Sequence, residues 1–168
     1  MKTKLILLLA LFGFAVAGLA GEPPRGNTRS LSKLIVFREV TTPLKHWEMP
    51  KEGLKITDEV EKSLGAEVLD LTDVRSVDAV YSQSGWGLEV QFTEKGAKKF
   101  QEVTARNIDK QIAIIIEGKI VSAPVIRQEI SGGRAAISGA FKMEEVEALE
   151  EKFNKTIKKL AEKDPANK

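Results

Sequence analysis

Five consecutive apolar residues, Ile112, Ala113, Ile114, Ile115 and Ile116, constrain the fold of this chain more than any other stretch. A strand with one wet face alternates apolar and polar residues, so an unbroken run must be covered on both faces and belongs near the centre of a sheet. The next residues, Glu117 to Lys119, form a hairpin turn in which Gly118 supplies the positive φ that such turns require. "IVSAPVI" then returns antiparallel. Pro124 has no N–H to give to a ladder, which sets that part of the returning strand at an edge or a bulge.

The segments before this hairpin supply its neighbours. "LEVQF" alternates Leu88, Val90 and Phe92 against Glu89 and Gln91, the period of a half-wet strand. Thr93 follows as a helix N-cap, and Ala97, Phe100, Thr104 and Ile108 recur on one helical face. Upstream, "LIVFREV" reads as a strand and "TTPLKHWEMPKEG" as a long excursion broken by two prolines. "EVLDLTDVRSVDAVY" reads as a short strand, a turn around Asp73 and a second strand ending near Tyr81, a residue expected in the core. After the hairpin, Met143 to Lys163 place Val146, Leu149, Phe153, Ile157 and Leu160 on one face, with glutamates first and lysines last, as the helix dipole favours. The width of that stripe and its mixed polar face suit packing on a sheet rather than lying on a membrane.

Length and charge set the outer limits. A chain of 168 residues suits one domain with tails. "MKTKLILLLALFGFAVAGLAG" has a basic start, an apolar run and small residues, the layout of a signal peptide over residues 1–20 with cleavage after Ala20. "GEPPRGNTRS" begins a linker over residues 21–33, the folded domain spans 34–163, and 164–168 form a frayed tail. Without the two leader lysines the chain carries 24 basic and 24 acidic residues, a balance that argues against an electrostatic nucleic-acid binder. The absence of cysteine excludes a disulfide framework, a thiol nucleophile and a lipid-modified thiol. Membrane contact is expected only through the leader, if it stays uncleaved.

No motif carries catalytic chemistry. A phosphate loop needs its glycines followed by Lys-Ser/Thr and a helix, whereas "SGGRAAI", Ser131 to Ile137, leads into a strand and serves better as a bend. His46 is the only histidine, in a proline-bounded loop with no partner nucleophile in the pattern. Asp70, Asp73 and Asp78 lack the glycine and distal glutamate of a calcium loop and suit turns and caps. Neither a catalytic set, a cofactor nor a metal site is expected. Trp47 and Trp86, in turns, are candidate exposed anchors.

The order of motifs from Leu88 to Leu149 carries a family resemblance: "GAKKF", "T..N" at Thr104 and Asn107, "GK.VSAP.I", "ISGG.A.ISG.F" and an acidic helix start. Together with "VFREV" at Val36–Val40 and "EVLDLTDV" at Glu67–Val74, the chain resembles the head subdomain of the first periplasmic domain of SecD. The resemblance implies an α+β sandwich, an antiparallel sheet with two main helices packed on one face, and no catalytic role. Two departures stand out. Lys142 replaces the threonine that often opens the last helix, removing its side-chain cap. That helix then ends in "KKLAEKDPANK" instead of leading toward a membrane segment, so a stand-alone exported protein, periplasmic or extracellular, is expected. The resemblance further implies as partners unfolded or secretory polypeptide, or translocase subunits. Candidate polypeptide-binding residues are Trp86, Pro124, Arg127, Gly132, Gly133 and Arg134. The alternative is a structural or ligand-binding module that kept the fold without a role in export.

Overall fold

The computed structural model describes residues 30–45 and 53–163. The leader, residues 21–29 of the linker, the tail, and His46 and Trp47 lie outside the described residues. The architecture is α+β with antiparallel strands, divided into two sheets rather than gathered in one. The first contains β1 (Ile35–Val40), β2 (Leu54–Lys55), β3 (Leu64–Asp70), β6 (Ile112–Ile116) and β7 (Lys119–Ser122), in the order β2-β7-β6-β1-β3. The second contains β4 (Val74–Ser82), β5 (Gly85–Phe92) and β8 (Arg134–Phe141), in the order β4-β5-β8. A one-turn helix, α1 (Asp58–Glu61), precedes β3, α2 (Glu94–Arg106) follows β5, and α3 (Met143–Lys163) closes the described chain.

The all-apolar strand is central, as its composition requires: β6 is third of five, and every residue in it is buried. Its two faces serve two cores. Ile112, Ile114 and Ile116 join the large cluster shared with β5, α2, α3 and β8, while Ala113 and Ile115 join a smaller one closed by Leu44, Leu54, Ile56 and Val60. Leu44 and the segment Leu54–Val60 thus roof the far face of the sheet.

The passage between sheets is made in three residues. After β3, Leu71–Asp73 form a 3-10 turn closed by a reciprocal box: the Asp70 carboxylate accepts from Thr72 N–H at 2.9 Å, and the Asp73 carboxylate accepts from Asp70 N–H at 3.2 Å. Asp73 is 5% exposed and also receives Lys99 Nζ of α2 at 2.9 Å. Asp70 and Asp73 therefore serve as turn and cap residues. Phe37 of β1, Phe92 of β5 and Phe100 of α2 meet just inside, with ring centroids 5.8, 6.3 and 4.7 Å apart for the pairs 37–92, 37–100 and 92–100. One aromatic group thus joins both sheets and a helix.

Helix ends follow local chemistry. Thr93 caps α2 by accepting from Gly96 N–H at 3.0 Å. Asn107 ends the helix, its side chain donating to Val103 C=O and to the Glu39 carboxylate of β1. Ile108 therefore falls beyond the helix, 47% exposed, and not on the buried face where helical spacing puts it. At α3 the cap side chain is lost at Lys142, yet the Glu145 carboxylate still accepts from Lys142 N–H at 2.9 Å, so half the box survives. The buried stripe Val146, Phe153 and Leu160, with Leu149 and Ile157 partly covered, matches the sequence pattern. Leu31 packs on the same core and Ser32 is buried, so packed chain extends back to Leu31. Tyr81 is 73% exposed, contrary to its expected burial, because it lies at the exposed end of the β4–β5 hairpin beside the turn at Gln83–Ser84. There its ring meets Trp86 at a tilt of 60°, centroids 5.1 Å apart. No described helix is long and apolar enough to cross a membrane.

A Cβ at Gly96 would lie 2.1 Å from the Asp73 carbonyl oxygen, a backbone atom that cannot step aside. Gly to Ala in an exposed helix stabilises by about 1 kcal/mol, but here the clash forces α2 away from the inter-sheet turn. Gly96→Ala is expected to lower stability by about 1–3 kcal/mol in urea unfolding; a gain in stability would contradict the close approach.

Candidate functional site

The candidate site lies where the β6–β7 hairpin, the segment after it and β8 converge. Glu117 and Gly118 both adopt positive φ, 50° and 78°, in the two-residue hairpin turn. Glycine needs no help there. Glu117 is held by an ion pair with Lys152 of α3. Along the hairpin the pairing shifts between Ile114 and Ile115, Ala123 and Pro124 leave the strand, and Val125 rejoins as a bridge opposite Gln111. Pro124, lacking N–H, contributes only its carbonyl, which accepts from Ile112 N–H at 3.1 Å. The Gln111 side chain fills the gap: its amide donates to the carbonyls of Ala123 and Leu44 and accepts from Leu44 N–H at 2.7 Å. The bulge of this ladder falls at Val121 and not at Pro124, because the pairs Ile114–Ser122 and Gln111–Val125 keep one register across the proline. Leu54 and Lys55 of β2 cover only the start of the returning strand, at Ile120 and Lys119, so its start is not an edge, whereas among the described residues no strand flanks the part at Pro124. A two-residue strand after a proline-broken loop leaves no readable period.

The segment Ile126–Ile130 is pinned at both ends. Ile126 exchanges backbone bonds with Lys110 and Asp109, at 2.9 and 2.8 Å. Ile130 N–H donates at 3.0 Å to the hydroxyl of Thr104, a fully buried residue of α2 whose own proton goes to Gln101 C=O. Between the pins Arg127 stands exposed, in an ion pair with Asp109 at 3.1 Å. The two polar residues of the "T..N" motif are therefore braces: Thr104 holds this segment and Asn107 holds β1. Gly133 then turns the chain at φ 65°, its Cα close enough to α2 that a Cβ would sit 3.2 Å from Ala97, and its carbonyl accepts from Phe92 N–H to open the β5–β8 ladder. At Gly132 a Cβ would meet nothing within 4 Å, so space does not demand glycine there.

Two cavities of about 450 Å³ each open between the five-stranded sheet and β8. The first is walled by Phe37, Phe100, Ile112, Ile114, Pro124, Ile126, Ile130 and Ala135, with Arg127 and Arg134 also lining it. Arg134 reaches Glu89 only at 3.5 Å and stays largely exposed. The second is walled by Ile116, Val121, Gly139, Phe141, Ala148 and Leu149, with Glu117 and Lys152 alongside. Of the sequence-predicted site residues, Pro124, Arg127 and Arg134 are brought together at the first cavity, and Gly132 and Gly133 lead the chain into it. Trp86 is not among them; it sits opposite Phe141, which lines the second cavity. Sequence reasoning missed the isoleucine walls, since in a run that is apolar throughout nothing marks which alternate residues face a cavity. Among the described residues no group of three or more His, Asp or Glu is placed to hold a metal ion.

The family model for the SecDF P1 head subdomain matches residues 55–154. The chain belongs to this family. The P1 head match begins upstream of the most recognisable motifs and takes in β3 to the middle of α3. Among similar proteins, the protein translocase subunit SecDF of Thermus thermophilus is 41% identical over 103 residues, 61% of this chain and 13% of that protein. The SecD subunit of Streptomyces coelicolor is 38% identical over 94 residues, 51% of this chain and 16% of that protein. The chain thus spans under a fifth of the length of either relative. A solved structure of SecDF, described as a membrane component that enhances protein export, superposes with a TM-score of 0.59 at 31% identity over 82% of this chain and 71% of that one. SecDF in its super-membrane-facing form gives 0.60 at 31% identity over 75% of this chain and 20% of that one. These likenesses support the α+β architecture of the head directly.

Thr104→Val removes the acceptor for Ile130 N–H while nearly keeping the side-chain shape. It is expected to cost about 1–3 kcal/mol and to speed hydrogen exchange at the Ile130 amide selectively. Unchanged exchange there would remove Thr104 as the brace of the first cavity's wall.

Proposed function

We propose that this P1 head-family chain is a non-enzymatic, exported module that binds unfolded or translocating polypeptide at the cavities between its two sheets. The observation that carries this reading is the first cavity: apolar walls from Ile112, Ile114, Ile126 and Ile130, with Arg127 and Arg134 at its margin, in a fold whose solved relative is described as enhancing protein export. Such a surface suits chain segments that are extended and partly apolar. Braced by Thr104 and Gln111, the walls are set before any ligand arrives, which lowers the ordering cost of binding. Docking to translocase subunits uses the same face.

Site-specific crosslinkers at Arg127 and Arg134 in growing cells test the reading, with Lys158, exposed on α3, as control. Nascent secretory chains or translocase subunits are expected from the first two positions and not from the third. Capture of neither, together with unchanged pulse-chase kinetics of a secreted reporter after deletion, would leave a structural or ligand-binding module instead.

A further inference from the structure

The two edges of the three-stranded sheet are treated differently. The phase of the β5–β8 ladder is fixed by Phe92 N–H donating to Gly133 C=O at 2.9 Å, in line with Gln91 opposite Arg134 and Val90 opposite Ala135. Antiparallel pairs alternate between bonded and non-bonded, so Ala135 and Ile137 bond to β5, while Arg134, Ala136 and Ser138 turn their N–H and C=O groups outward. The one register shift in this ladder lies beyond Ser138 and leaves that phase intact.

On the opposite edge the outward groups of β4 are taken. Asn154 of α3 accepts from Val77 N–H at 3.0 Å and donates to Val77 C=O at 2.7 Å, and Glu150 accepts from Ala79 N–H at 3.0 Å. On β8, among the described residues, no strand pairs with the outer side. Nor does β8 carry the usual guards of an open edge. Apart from Arg134 and the irregularity at Gly139–Ala140 it reads Ala-Ala-Ile-Ser-Gly-Ala-Phe, with neither proline nor further charge, and over Arg134–Ser138 its small side chains leave the backbone accessible.

We infer that this edge of β8 receives an extended polypeptide by strand addition, its backbone bonded to Ala136 and Ser138 and its side chains entering the cavities at either end. Outward donors and acceptors repeating about every 7 Å match the backbone of another strand. Ala135 lines the first cavity and Gly139 the second, about 14 Å apart along the strand. The favoured segment therefore carries two large apolar residues four positions apart, small residues between them and no proline. A second copy of this chain fits less well, because the large side chains of its own β8, Ile137 and Phe141, are committed to its own core and the remaining alanines, serine and glycine could fill neither cavity. The inference rests on the polypeptide-binding reading above and adds the mode of binding.

The test is fluorescence anisotropy of the purified full chain with a labelled Ser/Thr peptide of about nine residues bearing two leucines four positions apart. Its partners are the same peptide N-methylated on one or the other alternate set of residues. N-methylation of one set is expected to weaken binding about tenfold or more, and of the other set little. Ala136→Pro, which deletes an outward N–H and no β5 bond, should weaken the unmodified peptide similarly with an unchanged unfolding midpoint; the peptide series decides the matter if that variant unfolds. Equal binding of both N-methylated sets would overturn strand addition while leaving polypeptide binding in place. Failure of every peptide, with crosslinking at Arg127 and Arg134 intact, would also overturn it alone. A dimer dispersed by Ala136→Pro and untouched by peptide would assign the edge to a second copy and overturn it as well.

Discussion

Two sheets in one small domain must share a core, and Phe37, Phe92 and Phe100 are where the sharing is made. The rings come from the five-stranded sheet, the three-stranded sheet and α2, and their tilted and edge-on contacts add to the apolar area they bury. The 3-10 turn at Leu71–Asp73 and the close approach of Gly96 to Asp73 hold α2 at the seam between the sheets. With the seam fixed, β8 is carried over the isoleucine face of β6, and the two cavities are what the packing leaves at either end. The candidate site is thus a consequence of how the core is joined, with its walls on regular elements and braced segments.

The polar residues divide along the same line. Thr104, Asn107, Gln111, Asp73 and Asn154 are spent on the backbone, each satisfying a carbonyl or N–H that a regular ladder or helix would otherwise have left unpaired. A buried backbone group without a partner is costly, and these side chains appear where strands bulge, turn or end. Arg127 and Arg134 make exposed ion pairs that contribute little to stability. That leaves them available for recognition, and it separates the framework from the surface proposed to meet polypeptide.

Much of this was legible from residue patterns. The apolar run at Ile112–Ile116 called for a central strand, Thr93 for a cap, Gly118 for the hairpin turn, and the stripe from Val146 to Leu160 for a packed helix. Each depends on neighbours close in sequence. The turn around Asp73 was legible, but the division into two sheets was not, because which sheet a strand joins depends on the distant strands it pairs with. The pairing of β2 with β7 was hidden by its shortness. Tyr81 misled because at a hairpin end the strand pattern continues after the core has ended. Of the site, the motif residues Pro124, Arg127 and Arg134 could be read and the open edge could not, since edge status depends on which strands fail to pair.

The contrast between the two edges of the three-stranded sheet is the central structural claim, and amide hydrogen exchange of the free protein, resolved by residue, tests it most directly. Val77 and Ala79, bonded by Asn154 and Glu150, should exchange slowly alongside Ala135 and Ile137, whereas Ala136 and Ser138 should exchange near the rate of unstructured chain. Ala136 and Ser138 protected as strongly as Ala135 and Ile137 would mean that β8 is already partnered, and the account of an open edge would fail.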